Sequence, residues 1–142
     1  RVTKRGVETL QGHVDCDSIV FATGFDAITG ALLRIDIHGR DGITLARHWE
    51  FGSYSYLGLQ IAGFPNLFTI PGPGSPSVLS NVIHSIEQHV DWIASCIAFM
   101  RREKLATIEA TSRAERQWST HVHDIARRNP IMVSPSCNSW YV

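Results

Sequence analysis

The chain lacks a surplus of either charge, a long apolar run and a regular cysteine spacing. Each absence removes a class of function. Thirteen basic residues balance thirteen acidic ones over 142 positions, so there is no electrostatic footprint for nucleic acid or an anionic membrane. No apolar run reaches the roughly 18 residues that a membrane span requires. The polar opening RVTKRGVETLQG carries no hydrophobic segment of a secretory signal. Cys16, Cys96 and Cys137 are odd in number and widely spaced, matching neither a disulfide framework nor a zinc site. Buried or incidental thiols in a reducing, cytoplasmic compartment are expected. Methionine is scarce as well. The sequence opens on Arg1 and reaches its first methionine at Met100, so further sequence is expected upstream.

Phosphate-binding loops are also missing. The GPG at 72–74 has no third glycine and no acidic residue ending a following strand about 20 residues on. Any nucleotide must therefore be held mainly by residues outside this chain. Of the seven histidines, His84 and His89 are five apart and His121 and His123 two apart. Neither pair shares a helix face, as zinc ligands at i, i+4 do, so solvated or cap-satisfied histidines are expected and no metal. No Gly-x-Ser-x-Gly elbow and no identifiable Ser, His and Asp set supports hydrolysis.

What is present reads as α/β, with short strands followed by two helices. Short stretches over 2–14, broken at Arg5-Gly6 and Gln11-Gly12, suit a small β-meander. The continuous apolar run at 19–22 predicts a strand buried on both faces. The alternation RIDIH at 34–38, the turn pair Asp41-Gly42 and then Ile43-Thr44-Leu45 predict a hairpin. Residues 67–70, framed by Pro65-Asn66 and Pro71-Gly72, predict another short buried strand. Val82, Ile86, Val90, Ile93, Ile97 and Met100 then recur on one helical face. That helix is expected to run to about Arg102, capped by Ser80 or Asn81. A second helix is predicted from Ser112, where Ser112 and Glu115 have capping-box spacing. Trp118, Val122 and Ile125 form its apolar stripe, and Asn129-Pro130 ends it.

A strand that runs through a Gly/Pro loop into a helix start makes a place for an electron-rich ligand. The first-turn N–H groups and the positive dipole end both face it. A plain β–α connection, rich in Gly and Pro for geometry alone, is the competing reading of the same residues.

The ordered motifs carry a resemblance. ATGFDA at 22–27, GFPNLF at 63–68, GPGSPS at 72–77, LSN at 79–81 and SIEQHV at 85–90 follow one another. Together they resemble the C-terminal part of Baeyer–Villiger flavin-dependent monooxygenases, in the phenylacetone monooxygenase branch. The resemblance implies a C-terminal fragment of a flavoprotein with two dinucleotide-binding domains, one for FAD and one for NADP. Residues 1–24 would end the NADP-binding domain with its crossover strand. Residues 25–142 would be the returning part of the FAD-binding domain with a helical extension. In the intact enzyme the implied reaction inserts one oxygen atom of O2 beside a ketone carbonyl, through a flavin C4a-peroxide, giving an ester or lactone. The partners implied are a small ketone, O2 and an N-terminal FAD/NADP portion of the same protein, with the present chain inactive by itself.

By the same resemblance Asn81 and Val82 face the flavin with their backbone. A relative in this branch has Met where this chain has Val82, so pocket shape differs while the backbone contact is kept. Ser77, Val78, Leu79 and Ser80 line the ketone pocket, and Trp140 contacts the nicotinamide nucleotide. Trp49, Trp92 and Trp118 are expected to pack, and Thr23 and Asp26 to fix the strand-to-loop crossing. Two other readings stay open. One is a flavin-containing monooxygenase that oxidises nitrogen or sulfur, against which the 77–80 loop argues. The other is a non-catalytic remnant that only packs or self-associates, exposing apolar surface.

Overall fold

The hairpin at the start follows from its glycines and one threonine. β1 (Gly6–Thr9) pairs antiparallel with β2 (Gly12–Asp15), Gly6 opposite Asp15 and Thr9 opposite Gly12. Thr9 Oγ1 closes the turn, donating to Gly12 O at 2.9 Å and accepting from Gln11 N at 3.2 Å. Val2 bridges Val7, so the expected meander forms. This computed structural model describes residues 1–22, 28–75 and 80–128.

The strand expected at 19–22 is not formed. Ile19, Val20 and Phe21 are 38, 87 and 74% exposed. A strand buried on both faces needs neighbouring strands, and among the described residues the sheet consists of β1 and β2 alone. The strand expected at 67–70 shrinks for the same reason to one bridge between Gln60 and Phe68.

The core sits between. Leu45, Trp49, Ile61 and Phe64 are buried together, with Leu32, Ile37 and Leu67 packed against them. They come from α1 (Gly30–Leu33), the connection after it, α2 (Leu45–His48) and the irregular chain at 49–70. The expected hairpin at 34–45 is only half made. Asp41 and Gly42 turn the chain with φ of 56° and 74°, and His38 bridges Thr44. Thr44 then accepts from Arg47 N at 3.2 Å through Oγ1, so the returning strand is captured as the N-cap of α2. Gly39 is required where it stands, since a Cβ would meet Gly63 O and the Phe64 ring.

α3 (Val82–Arg102) has the predicted bounds. Asn81 caps it, its Oδ1 accepting from Ile83 N at 3.1 Å. Arg101 and Arg102 end it at the negative pole of its dipole. α4 (Ser112–Arg128) begins at the predicted residue, but its cap corrects the expectation. Thr111 Oγ1 accepts from Ala114 N at 3.2 Å, while Glu115 reaches away, Oε1 accepting from Ala62 N at 2.9 Å. A buried N–H needs an acceptor more than an exposed helix end does, and Glu115 is only 3% exposed. Asn129 and Pro130 lie outside the described residues. None of the described helices is long and apolar enough to cross a membrane.

Candidate functional site

The Gly/Pro loop at 72–75 is held from three directions. From the 55–69 stretch, Gly58 O accepts from Gly72 N at 2.8 Å and from Thr69 Oγ1 at 2.8 Å. Fully buried Ser55 donates from Oγ to Pro73 O at 2.7 Å. From α4, Trp118 Nε1 donates to Gly74 O at 3.1 Å. From α3, His89 Nε2 lies 3.3 Å from Ser75 Oγ. Gly58 makes the approach possible: its φ is +71°, and a Cβ there would fall on the Ser75 side chain.

Seven residues beyond Ser75, α3 starts at Val82, half-buried, after exposed Ser80 and Asn81. The first-turn N–H groups have no acceptor within the helix, and Asn81 serves that of Ile83. No acidic side chain sits in the first turn, so the positive dipole end is not neutralised locally. An electron-rich group at this point would be favoured.

Two buried polar centres stiffen the surroundings. Glu115 carries its carboxyl above the usual range, because burial penalises the charge more than the Ala62 N–H and the Arg116 charge favour it. His48 Nε2 stands 3.9 Å from Glu115 Oε2. Its ring packs edge-on against Phe64 at 5.3 Å, and burial pushes it below the ordinary imidazole range. Burial lowers His89 likewise. At the surface, by contrast, a 2.9 Å contact with Asp36 raises His38. Cys16 and Cys96 are free thiols. Among the described residues no three His, Cys, Asp or Glu side chains converge on a metal site. A shallow cleft of about 210 Å³ beside residues 33–37 lies away from the loop.

Of the residues singled out from sequence, Ser80, Asn81 and Val82 stand together at the start of α3. Ser77, Val78, Leu79 and Trp140, and also Thr23 and Asp26, lie outside the described residues. Trp49 is buried and Trp118 packs on the loop as expected, but Trp92 is 43% exposed, meeting Phe68 edge-on at 6.5 Å. The expectation of solvated histidines fails at His89, which is 9% exposed. Ser55, Gly58, Thr69 and His89 hold the loop, a role the sequence assigned to none of them. Only His89 had a usable signal there, since it lies on the same helical face as Val82, Ile86 and Ile93.

No family model matches the chain. Curated relatives do. The acetone monooxygenase (methyl acetate-forming) of Gordonia sp. (strain TY-5) is 41% identical over all of this chain and 26% of its own length. The phenazine N-monooxygenase of Lysobacter antibioticus is 39% identical over 98% of the chain and 25% of its own. A Baeyer–Villiger monooxygenase of Pseudooceanicola batsensis is 36% identical over 97% and 25%. Among solved structures, an oxidised steroid monooxygenase bound to NADP matches with TM-score 0.77 at 46% identity, covering 97% of this chain and 26% of that one. The OTEMO complex with FAD and NADP matches with TM-score 0.78 at 38% identity, covering 99% and 26%. The chain thus spans about a quarter of the length of the relatives it matches.

Proposed function

We propose, for a chain that belongs with the Baeyer–Villiger monooxygenases and matches their C-terminal part, that it forms one wall of an FAD- and ketone-binding site in a larger NADPH-dependent monooxygenase. The observation that carries this reading is the tethered loop at 72–75 leading to the acid-free start of α3. Residues 1–24 belong in this reading to the end of an NADP-binding domain and residues 25–142 to the FAD-binding domain. The N-terminal FAD/NADP portion is the principal partner. The compartment is cytoplasmic, a reading supported by the free Cys16 and Cys96 thiols.

The residues present fit an electron-rich ring edge. Gly74, at φ +73°, exposes backbone in the loop, and Asn81 fixes the first turn of α3 with no carboxylate to repel the ligand. When bound, FAD would supply the activation of O2 that no amino-acid side chain offers. The backbone N–H groups of Asn81 and Val82 would then favour negative charge on the ring edge, and being fixed they need no reorganisation. Ser77, Val78, Leu79 and Ser80 would line the ketone side and exclude water, while Trp140 would cover the nicotinamide nucleotide. Residues for proton transfer are not assigned to this chain, and alone it is expected to be inactive.

A second reading, oxygen transfer to a ring nitrogen, is favoured by one observation: the phenazine N-monooxygenase is as similar as the ketone enzymes. The test is to purify the full-length protein with FAD and follow NADPH consumption on adding small ketones or N-heterocycles. Ketone-dependent consumption with ester formation supports the first reading. N-oxide formation without ester supports the second. A protein that retains no FAD contradicts both.

A further inference from the structure

Of the two histidines on α3, His84 has an 82% exposed side chain whereas His89 is 9% exposed. His89 Nε2 lies 3.3 Å from Ser75 Oγ, while Nδ1 has no hydrogen-bond partner among the described residues. Burying an imidazole with one nitrogen unpaired is unfavourable, so the bond that is made has structural consequence. Burial keeps the ring below its ordinary range, hence neutral near pH 7, with one nitrogen donating and one accepting. A serine hydroxyl does both, so the pair closes in either tautomer. On its other side Ser75 is pressed against Gly58, where a Cβ would coincide with its side chain. Ser75 is therefore wedged between the bare backbone of Gly58 and the His89 ring.

We infer that His89 is the positioning residue of the 72–75 loop, setting through Ser75 how far that loop stands from the start of α3. The same rigid helix carries the ring that holds the loop and the first-turn N–H groups at Asn81 and Val82. Sliding the loop past the helix start breaks the Ser75–His89 bond. For its consequence, a fixed gap into which a flavin ring fits, the inference rests on the proposed function; its geometry does not.

Three variants of the full-length protein test it, each examined with and without added FAD. His89→Leu removes the ring nitrogen, Ser75→Ala removes the hydroxyl, and His89→Gln places an amide nitrogen where Nε2 stands. The Trp118 indole N–H donates to Gly74 O, so its NMR resonance reports the loop. The expected result is that His89→Leu and Ser75→Ala shift that resonance in the same direction, the double variant no further. Both weaken FAD binding about tenfold, the worth of roughly one buried hydrogen bond, and His89→Gln restores both readouts. An unmoved resonance in both variants overturns the inference, whatever the flavin does. A shifted resonance with unchanged FAD affinity upholds the positioning role and overturns the flavin reading instead.

Discussion

At the scale of single residues, Val82 offers a clean separation of fold from function. It is the first residue of α3, and its N–H has no intrahelical partner to lose. Proline is well tolerated at that position, and Asn81, at φ −72° and ψ 104°, already has the extended backbone required before a proline. Val82→Pro is expected to leave thermal stability within about 0.5 kcal/mol. It should still weaken FAD binding about tenfold, because a backbone hydrogen bond to the ring edge is lost. Equal FAD affinity in the two proteins would remove Val82 from the site. Titration gives a second prediction. His48 and His89 have folded values below 6.5, depressed by burial. Their contribution to stability is complete above that value and is lost as pH falls through the depressed folded values. Glu115 is raised by burial, so its contribution is present below the unfolded carboxyl range and is lost as pH rises through the raised value. The two histidines should therefore make the unfolding temperature fall as pH is lowered from about 7.5 to 5.5, against the opposing change from Glu115, and a His48→Gln, His89→Gln double variant should lose that fall.

At the scale of elements, the two long helices and the first hairpin were legible and the buried strands were not, and the contrast is physical. α3 and α4 satisfy their backbone hydrogen bonds internally, so periodicity and caps in the local sequence suffice. The runs at 19–22 and 67–70 need neighbours to become strands. Local reading also failed where a tertiary partner outbid a local one. Ser112 and Glu115 have capping-box spacing, yet Thr111 caps α4 and Glu115 serves the distant Ala62 N–H. Thr111→Ala should cost about 1 kcal/mol in urea unfolding, and Ser112→Ala a few tenths at most. Glu115→Ala should cost about 1–3 kcal/mol by leaving the buried N–H unpaired. Gly58→Ala should be similarly costly, combining a left-handed backbone with a collision at Ser75. The loop's tethers were mostly illegible because Ser55 and Pro73 meet only through the fold, whereas the Gly/Pro composition and the start of α3 at Val82 were plain in the sequence.

At the scale of the whole molecule, apolar surface is left uncovered. α3 exposes Ile83, Val90 and Ile97 on one flank of its inward face and Trp92 and Phe99 on the other. Only a narrow arc, with His84, Glu87, Gln88 and Asp91, is polar. A helix apolar over so much of its circumference is buried in its native setting, and the exposed Val20 and Phe21 point the same way. The 142-residue chain is expected to elute larger than a monomer and to bind a hydrophobic dye, and both properties should disappear when the N-terminal portion is joined to it. The resemblance was legible from ordered motifs because it runs the length of the chain, which relatives match at 36–41% identity over 97–100% of it. The most direct measurement is mass spectrometry of the product formed by the full-length, FAD-loaded protein from a simple ketone, NADPH and ¹⁸O2. An ester or lactone carrying one ¹⁸O atom is predicted. NADPH oxidation that yields only hydrogen peroxide and unchanged ketone, across ketones of several sizes, would contradict it.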